Sequence, residues 1–227
     1  MSDKKIIRKP ATRQIPTIMA EMQSAADTLD SLSWGVSIFG SARTPKDSPW
    51  YALAEQLGAR LAQAGLPVIA GGGPGIMEAA NKGAYEAGGQ SVGLNIRLPQ
   101  EKANNPYQTH SLNFEYFYSR KATFFMHSVA YVGLPGGWGT LDEIFEVMTL
   151  VQTGKVPPAP ILLIGSSYWD GLFDWVREQQ LGNHMISPSD MDLVLISDSI
   201  DEVMDHINAF CEAVRGQREA EPMMPKS

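Results

Sequence analysis

The sequence predicts an α/β fold, in which a single Rossmann-like domain contains a parallel β-sheet with helices on both faces. Short apolar runs alternate with longer stretches whose apolar residues recur at helical spacing. Glycine-rich turns directly follow two of these runs. The alternation predicts a parallel sheet, because each crossover helix returns the chain to the same edge. Ligands of such sheets bind at the carboxyl ends of the strands, where the glycine-rich turns lie.

Composition and charge exclude several classes of protein. The chain has 227 residues, 44% of them hydrophobic, which is enough for a sizeable core, and its net charge of −7 argues against nucleic acid or a membrane as the main partner. Cys211 is the one cysteine, so no intramolecular disulfide can form. The first residues resemble no secretion signal, and the apolar runs are too short to span a bilayer. We therefore expect a cytoplasmic protein.

The chain is predicted to begin with an arm and a helix. Residues 1–15 are rich in lysine and arginine and are predicted to form a flexible arm. Residues 16–32 place their apolar side chains on one helical face, which predicts a helix that packs on the body or on another subunit. The catalytic domain is predicted over residues 16–214, and residues 215–227 are predicted to form a C-terminal tail.

Strands and helices then alternate along the domain. The predicted strands are residues 36–39, 67–70, 91–96, 129–134, 160–165 and 193–196. The predicted helices are residues 49–64, 76–87, 168–180 and 200–214, with two more that begin near Arg120 and near Leu141. Residues 97–113 are predicted to be a loop, whose length in a compact domain indicates a function.

Two glycine-rich turns are candidate binding sites. Residues 135–140, Pro-Gly-Gly-Trp-Gly-Thr, join a buried strand to a helix, and backbone N–H groups converge at such a turn, so a phosphate is predicted there. Residues 71–75, Gly-Gly-Gly-Pro-Gly, depart from the dinucleotide spacing G-x-G-x-x-G and fit a tight strand-to-helix turn. Their glycines also leave the backbone open to a ligand. We predict substrate contacts at Gly72, Gly73 and, after the first strand, Ser41.

Glu143 has two interpretations. Thr140 and Glu143 match a capping box, in which the threonine accepts from the Glu143 backbone and the glutamate reaches back to the threonine N–H. The local pattern favours this structural role. Glu143 is also a candidate catalytic residue, because it lies within one helical turn of the predicted phosphate site.

The role of Arg120 and Lys121 also has two interpretations. They form an ordinary charged pair at the start of a helix. However, positive charge is mildly unfavourable at that end of a helix, and arginine binds phosphate or ribose oxygens in a bidentate manner.

The four histidines are too scattered for a metal cluster, and neither a G-x-S-x-G elbow nor a P-loop is present. Neither a metal nor an organic cofactor is expected.

These motifs together resemble the Lonely Guy family, the cytokinin riboside 5′-monophosphate phosphoribohydrolases, formerly labelled lysine decarboxylase-like. The family hallmark P-G-G-x-G-T-x-x-E is matched at every defined position by residues 135–143. The family's triple-glycine turn is similar to residues 71–77, and its Arg-Lys pair is similar to Arg120 and Lys121. The likeness extends over residues 33–205.

The resemblance implies hydrolysis of the N-glycosidic bond of a purine nucleoside 5′-monophosphate, which is AMP or N6-modified AMP, to free base and ribose 5-phosphate. It implies that Arg120 and Glu143 are the catalytic pair and that Lys121 and Glu101 contact substrate. The residues whose backbone would bind the phosphate are Gly136, Gly137, Gly139 and Thr140. Decarboxylation is not implied, since no Schiff-base lysine with its supporting partners is visible.

The alternative is a module of the same fold that binds a nucleotide or molybdenum cofactor without hydrolysis. A carrier has no need of the Arg120–Glu143 pair, which therefore discriminates between the two hypotheses. The resemblance also implies a homodimer or larger homo-oligomer, for which residues 16–32 and the aromatic residues 114–118 are candidate interfaces.

Overall fold

The computed structural model describes residues 11–32, 34–98 and 104–220. Over these residues, seven parallel strands form one sheet in the order β4-β3-β2-β1-β5-β6-β7. The strands are β1 Gly35–Phe39, β2 Val68–Ala70, β3 Ser91–Ile96, β4 His110–Phe114, β5 Ser128–Gly133, β6 Ile161–Ile164 and β7 Val194–Ser197. The predicted parallel α/β fold is confirmed.

Helices connect the strands. They are α1 Ala11–Leu29, α2 Pro49–Gln63, α3 Ile76–Glu86, α4 Phe117–His127, α5 Trp138–Gln152, α6 Ser166–Trp175 and α7 Ile200–Ala220. A π-helical segment, Val176–Leu181, continues α6, and a 3-10 helix, Pro188–Leu193, precedes β7. Within the described ranges, none of the helices is long and apolar enough to cross a membrane.

The sheet has a hydrophobic core on each face, because successive side chains of a strand point to opposite sides. In β1, Val36 and Ile38 pack under α2, α3 and α7, whereas Phe39 belongs to the core under α1, α4, α5 and α6. The two cores explain why the central strands consist almost entirely of buried residues.

Strand β4 corrects the prediction of a loop over residues 97–113. The strand pairs in parallel with β3 at the edge of the sheet. Its polar residues hide it from a search for apolar runs, since only Leu112 and Phe114 are buried among its five residues. Phe114, predicted to begin an aromatic interface segment, instead fills the core.

Helices at both ends of the chain are longer than predicted. Helix α1 begins at Ala11, within the range predicted to be an arm, and contains Pro16 rather than starting with it. Glu21 fixes this helix to the body, because its carboxylate accepts from the Glu115 N–H (2.7 Å) and the Ser119 hydroxyl. Helix α7 continues to Ala220, into the predicted tail, although its buried apolar positions end near Cys211. The remainder of the predicted arm and tail lies outside the described residues.

Candidate active site

Three turns meet at the carboxyl edge of the central strands. Ser41, just after β1, connects the other two: its N–H donates to the Pro135 carbonyl (3.1 Å), and its carbonyl accepts from the Ile76 N–H (3.0 Å). The triple-glycine turn after β2 and the turn after β5 therefore lie on either side of Ser41. This arrangement follows from the sheet order, in which β1 separates β2 from β5.

Helix α5 begins without a capping side chain. Gly137 is its N-cap residue and Trp138 its first helical residue, and no side chain of the described residues caps this end. The predicted capping box is therefore wrong, because Thr140 and Glu143 both lie inside the helix. Thr140 is buried against Gly136, where any Cβ would overlap the threonine hydroxyl. The N–H groups of the first turn are left for a ligand.

Glu143 faces Arg120 across the space between α5 and α4. The Oε1 of Glu143 lies 3.7 Å from Nη1 of Arg120, and the two side chains are 14% and 6% exposed. That distance is an ion pair but too long for a hydrogen bond. The structure thus brings together the two residues that the resemblance assigned to catalysis.

Arg120 is fixed by groups other than Glu143. Its Nε donates to the Leu94 carbonyl in β3 (2.7 Å), and its Nη2 donates to the Gly71 carbonyl beyond β2 (3.3 Å). The guanidinium also lies 5.4 Å from the ring centroid of Phe124 and 6.0 Å from that of Phe117. The guanidinium is bound to a carbonyl within β3, to a carbonyl just after β2 and to two rings, so Nη1 has a defined position beside Glu143.

Burial changes the protonation of this pair. Removal from water raises the pKa of Glu143 to about 7, although the charge of Arg120 opposes the shift. Burial also lowers the pKa of Arg120, yet an arginine remains charged at neutral pH. A carboxylate whose pKa lies near the working pH is suited to proton transfer or to stabilising developing positive charge.

The triple-glycine turn has its carbonyl groups bound by neighbouring donors. Besides the Arg120 bond to Gly71, the Gly72 carbonyl accepts from Asn105 N (2.8 Å) and Gln108 Nε2 (3.1 Å). Asn105 Nδ2 donates to the Gly73 carbonyl (3.1 Å). Gly72 has a φ of +74°, and a Cβ there would overlap the Asn95 amide. These donors fix the carbonyl groups of the turn, and in a planar trans peptide the N–H group that follows each carbonyl points the opposite way.

Asn105 and Gln108 were missed in the sequence. They lie between the third and fourth strands, in the stretch whose length indicated a function, but asparagine and glutamine in a loop match no motif. Glu101, predicted to contact substrate from the same stretch, lies outside the described residues.

Lys121 is bound to α5. Its Nζ lies 3.0 Å from Oδ2 of Asp142 and 2.5 Å from Oε2 of Glu146, and these carboxylates raise the pKa of the lysine against the effect of burial. The ammonium thus joins α4 to α5 beside the Arg120–Glu143 pair. Among the residues described, no group of three His, Cys, Asp or Glu side chains could hold a metal ion.

Comparison with known families identifies the family of the chain. Residues 77–207 match the family described as "Possible lysine decarboxylase". Because the match covers more than half of the chain, the chain belongs to this family, and the predicted membership of the Lonely Guy group is confirmed.

Named relatives cover most of the chain. A probable cytokinin riboside 5′-monophosphate phosphoribohydrolase of Oryza sativa subsp. japonica is 26% identical over 180 residues, which are 77% of this chain and 72% of the relative. One Arabidopsis thaliana cytokinin riboside 5′-monophosphate phosphoribohydrolase is 24% identical over 178 residues, 77% of this chain and 82% of the relative. The Mycobacterium marinum protein of that name is 27% identical over 176 residues, 75% of this chain and 91% of the relative.

Solved structures share the fold. A structural-genomics target solved by X-ray crystallography has a TM-score of 0.59 at 25% identity and covers 78% of this chain and 99% of its own. The molybdenum cofactor carrier protein of Chlamydomonas reinhardtii has a TM-score of 0.58 at 20% identity, and the match covers 79% of this chain and 99% of the carrier protein. DNA processing protein A of Streptococcus pneumoniae has a TM-score of 0.52 at 15% identity, and the match covers 79% of this chain and 62% of that protein.

Proposed function

We propose that this protein hydrolyses the N-glycosidic bond of AMP or an N6-modified AMP, giving the free purine base and ribose 5-phosphate. In this reaction the bond between C1′ and the base nitrogen breaks, the oxygen of water bonds to C1′, and a proton of that water passes to the base. The buried Arg120–Glu143 pair at the carboxyl edge of the sheet is the observation on which the proposal rests.

The chemistry of this pair suits the reaction. Cleavage at C1′ builds positive charge on the ribose, which an ionised Glu143 can stabilise, or Glu143 can orient the attacking water. Arg120 favours the ionised form of the glutamate, because its charge opposes the increase in pKa caused by burial. Its fixed guanidinium also gives the carboxylate a constant neighbour during the reaction.

The proposed phosphate site is the N-terminus of α5. The backbone of Gly136, Gly137, Gly139 and Thr140 would bind the 5′-phosphate, because the first turn of the helix has unsatisfied N–H groups and a favourable dipole. Substrate contacts are further proposed for Ser41, Gly72, Gly73 and Lys121. The same role is proposed for Glu101, which lies outside the described residues.

The names of the relatives support the substrate class. Proteins at 24–27% identity are named for hydrolysis of cytokinin riboside 5′-monophosphates, which are N6-modified AMP derivatives. Such identity supports the reaction type, whereas the preference between adenine and a modified adenine depends on the shape of the base pocket.

Release of base from the nucleotide tests the proposal. The purified protein is incubated with AMP and with isopentenyl-AMP, and free base and ribose 5-phosphate are quantified chromatographically. We expect both products in equal amounts from at least one substrate. Tight binding of AMP without release of base above background would instead support the alternative, a nucleotide- or molybdenum-cofactor-binding module that does not hydrolyse its ligand.

A further inference from the structure

Tyr168 contacts the proposed phosphate turn from outside. This residue lies in the first turn of α6, and its hydroxyl donates to the Gly136 carbonyl at 2.5 Å. Its ring packs edge-on against the buried Trp169, with centroids 4.8 Å apart and an interplanar angle of 85°. The tyrosine is therefore held by its ring and binds the turn with its hydroxyl.

The hydrogen bond determines where an N–H group of the turn points. In a planar trans peptide, the carbonyl of Gly136 and the N–H of Gly137 point in opposite directions. Tyr168 belongs to the helix after β6, and β6 and β1 lie on opposite sides of β5. A carbonyl turned toward α6 consequently leaves the Gly137 N–H facing the side of β1, where Ser41 and Arg120 lie.

Thr140 packs against Gly136, but among the described residues no hydrogen bond from within the turn holds that peptide. The peptide joins two glycines, and a Cβ at Gly137 would meet no atom within 4 Å. Such a peptide can rotate at low cost, because neither residue restricts its backbone. Over the described residues, no acceptor is bound to the Gly137 N–H, so the Tyr168 bond is the contact that orients it.

The other glycine-rich turn is held in the same way. The Arg120 side chain donates to the Gly71 carbonyl, that of Gln108 to the Gly72 carbonyl and that of Asn105 to the Gly73 carbonyl. Side chains from neighbouring elements thus bind the carbonyls of both turns and leave the N–H groups facing away from them. This repeated arrangement supports a function for the Tyr168 bond beyond simple packing.

We propose that Tyr168 is a positioning residue, which fixes the Gly137 N–H toward the 5′-phosphate and so gives the site its preference for phosphorylated ligands. The inference rests on the proposed function, because it assigns the phosphate of that substrate to this N–H. Tyr168 itself need not touch the substrate.

A substitution that removes the hydroxyl and keeps the ring tests this inference. Binding of AMP and of adenosine is measured by titration calorimetry for the wild type, for Tyr168→Phe and for Tyr85→Phe, a half-exposed tyrosine on α3 that serves as the matched control. We expect Tyr168→Phe to bind AMP about fivefold more weakly, as the loss of one oriented hydrogen bond predicts, with adenosine binding unchanged. Tyr85→Phe should match the wild type with both ligands.

Kinetics separate this inference from the proposed function. If the wild type releases base, Tyr168→Phe should raise KM for AMP about fivefold and leave kcat within about twofold. Equal affinity of Tyr168→Phe and wild type for AMP would overturn the inference, as would an equal loss of affinity for AMP and adenosine. A wild type that binds AMP more tightly than adenosine but releases no base would overturn the proposed hydrolysis and leave the calorimetric comparison decisive for Tyr168.

Discussion

Glu143 lies in the second turn of α5 with its carboxylate beside a fixed arginine and largely removed from water. Its local sequence pattern predicts a capping residue, and that interpretation is wrong because the helix begins at Trp138, with Gly137 as its N-cap. A capping box needs its threonine at the N-cap position, with the glutamate three residues later in the first turn of the helix. Thr140 is already inside the helix, so Glu143 is free to face Arg120.

The pH dependence of activity follows from the environment of Glu143. Its pKa is about 7, so the carboxylate is mostly protonated below that pH and mostly ionised above it. Because the ionised form is the one that stabilises positive charge on the ribose, kcat/KM for AMP should increase with pH and level off above about pH 7. Initial rates between pH 5 and 9 at constant ionic strength measure this.

The residual activity of Glu143→Gln is the control for that profile. An amide does not titrate, so its residual activity should lack the increase near pH 7, whereas ionisation of the substrate phosphate would affect both proteins equally. A wild-type profile that is flat or that falls through neutral pH would contradict the assigned role of the ionised carboxylate.

Among the elements, α2 and α3 are packed unusually closely. A Cβ at Gly83 would overlap the Glu55 carbonyl, and a Cβ at Gly58 would overlap the Ala80 carbonyl. The two glycines allow the helix backbones to approach each other, and α3 begins directly at the triple-glycine turn. The position of this turn therefore depends on how α3 packs against α2.

Gly83→Ala should destabilise the fold for this reason. The new methyl group meets backbone rather than a mobile side chain, so we expect the free energy of unfolding to fall by about 1–3 kcal/mol, as overpacking typically produces. Gly171→Ala in α6 is the matched control, because a Cβ there meets no atom within 4 Å and should raise stability by up to about 1 kcal/mol. Urea denaturation compares the two, and equal effects of both changes would show that the close approach of α2 and α3 is not as described.

The elements could be predicted from the sequence where their residues are buried on both faces. Central strands such as β1 and β5 are mostly apolar and almost entirely buried, so their positions and the parallel fold were predictable. Strand β4 was not, because an edge strand with polar residues has the composition of a loop and is stabilised mainly by its backbone pairing with β3. The part played by Asn105 was equally hidden, since it depends on which carbonyls the folded chain brings near it.

Helices α1 and α4 pack together and leave apolar side chains exposed. Met19 on α1 is 66% exposed and Tyr118 on α4 is 70% exposed, and Ile15 and Met126 are more than half exposed on the same two helices. Large apolar side chains left exposed on two adjoining helices are typical of a subunit interface. This surface includes parts of both segments that the sequence indicated as candidate interfaces.

We expect the protein to form a homodimer or a larger homo-oligomer through this surface. Light scattering at working concentration should give at least twice the monomer mass of 24.8 kDa. Met19→Glu should lower the mass toward the monomer, because a charge buried at an interface without a partner is costly. Met185→Glu, at a residue that is also exposed but lies outside these helices, should leave the mass unchanged. A wild type of 24.8 kDa would contradict the expectation.

We propose that the Arg120–Glu143 pair catalyses hydrolysis of the glycosidic bond, and the single change Glu143→Gln isolates the contribution of the carboxylate. The change keeps the size of the side chain and removes its charge, and Glu212→Gln on the exposed part of α7 is the matched control. Release of base from AMP should fall about 10²–10⁴-fold in Glu143→Gln, with AMP still bound, and should be unaffected in Glu212→Gln. Full activity of Glu143→Gln would rule out a catalytic role for the carboxylate and leave Glu143 as a structural residue of α5.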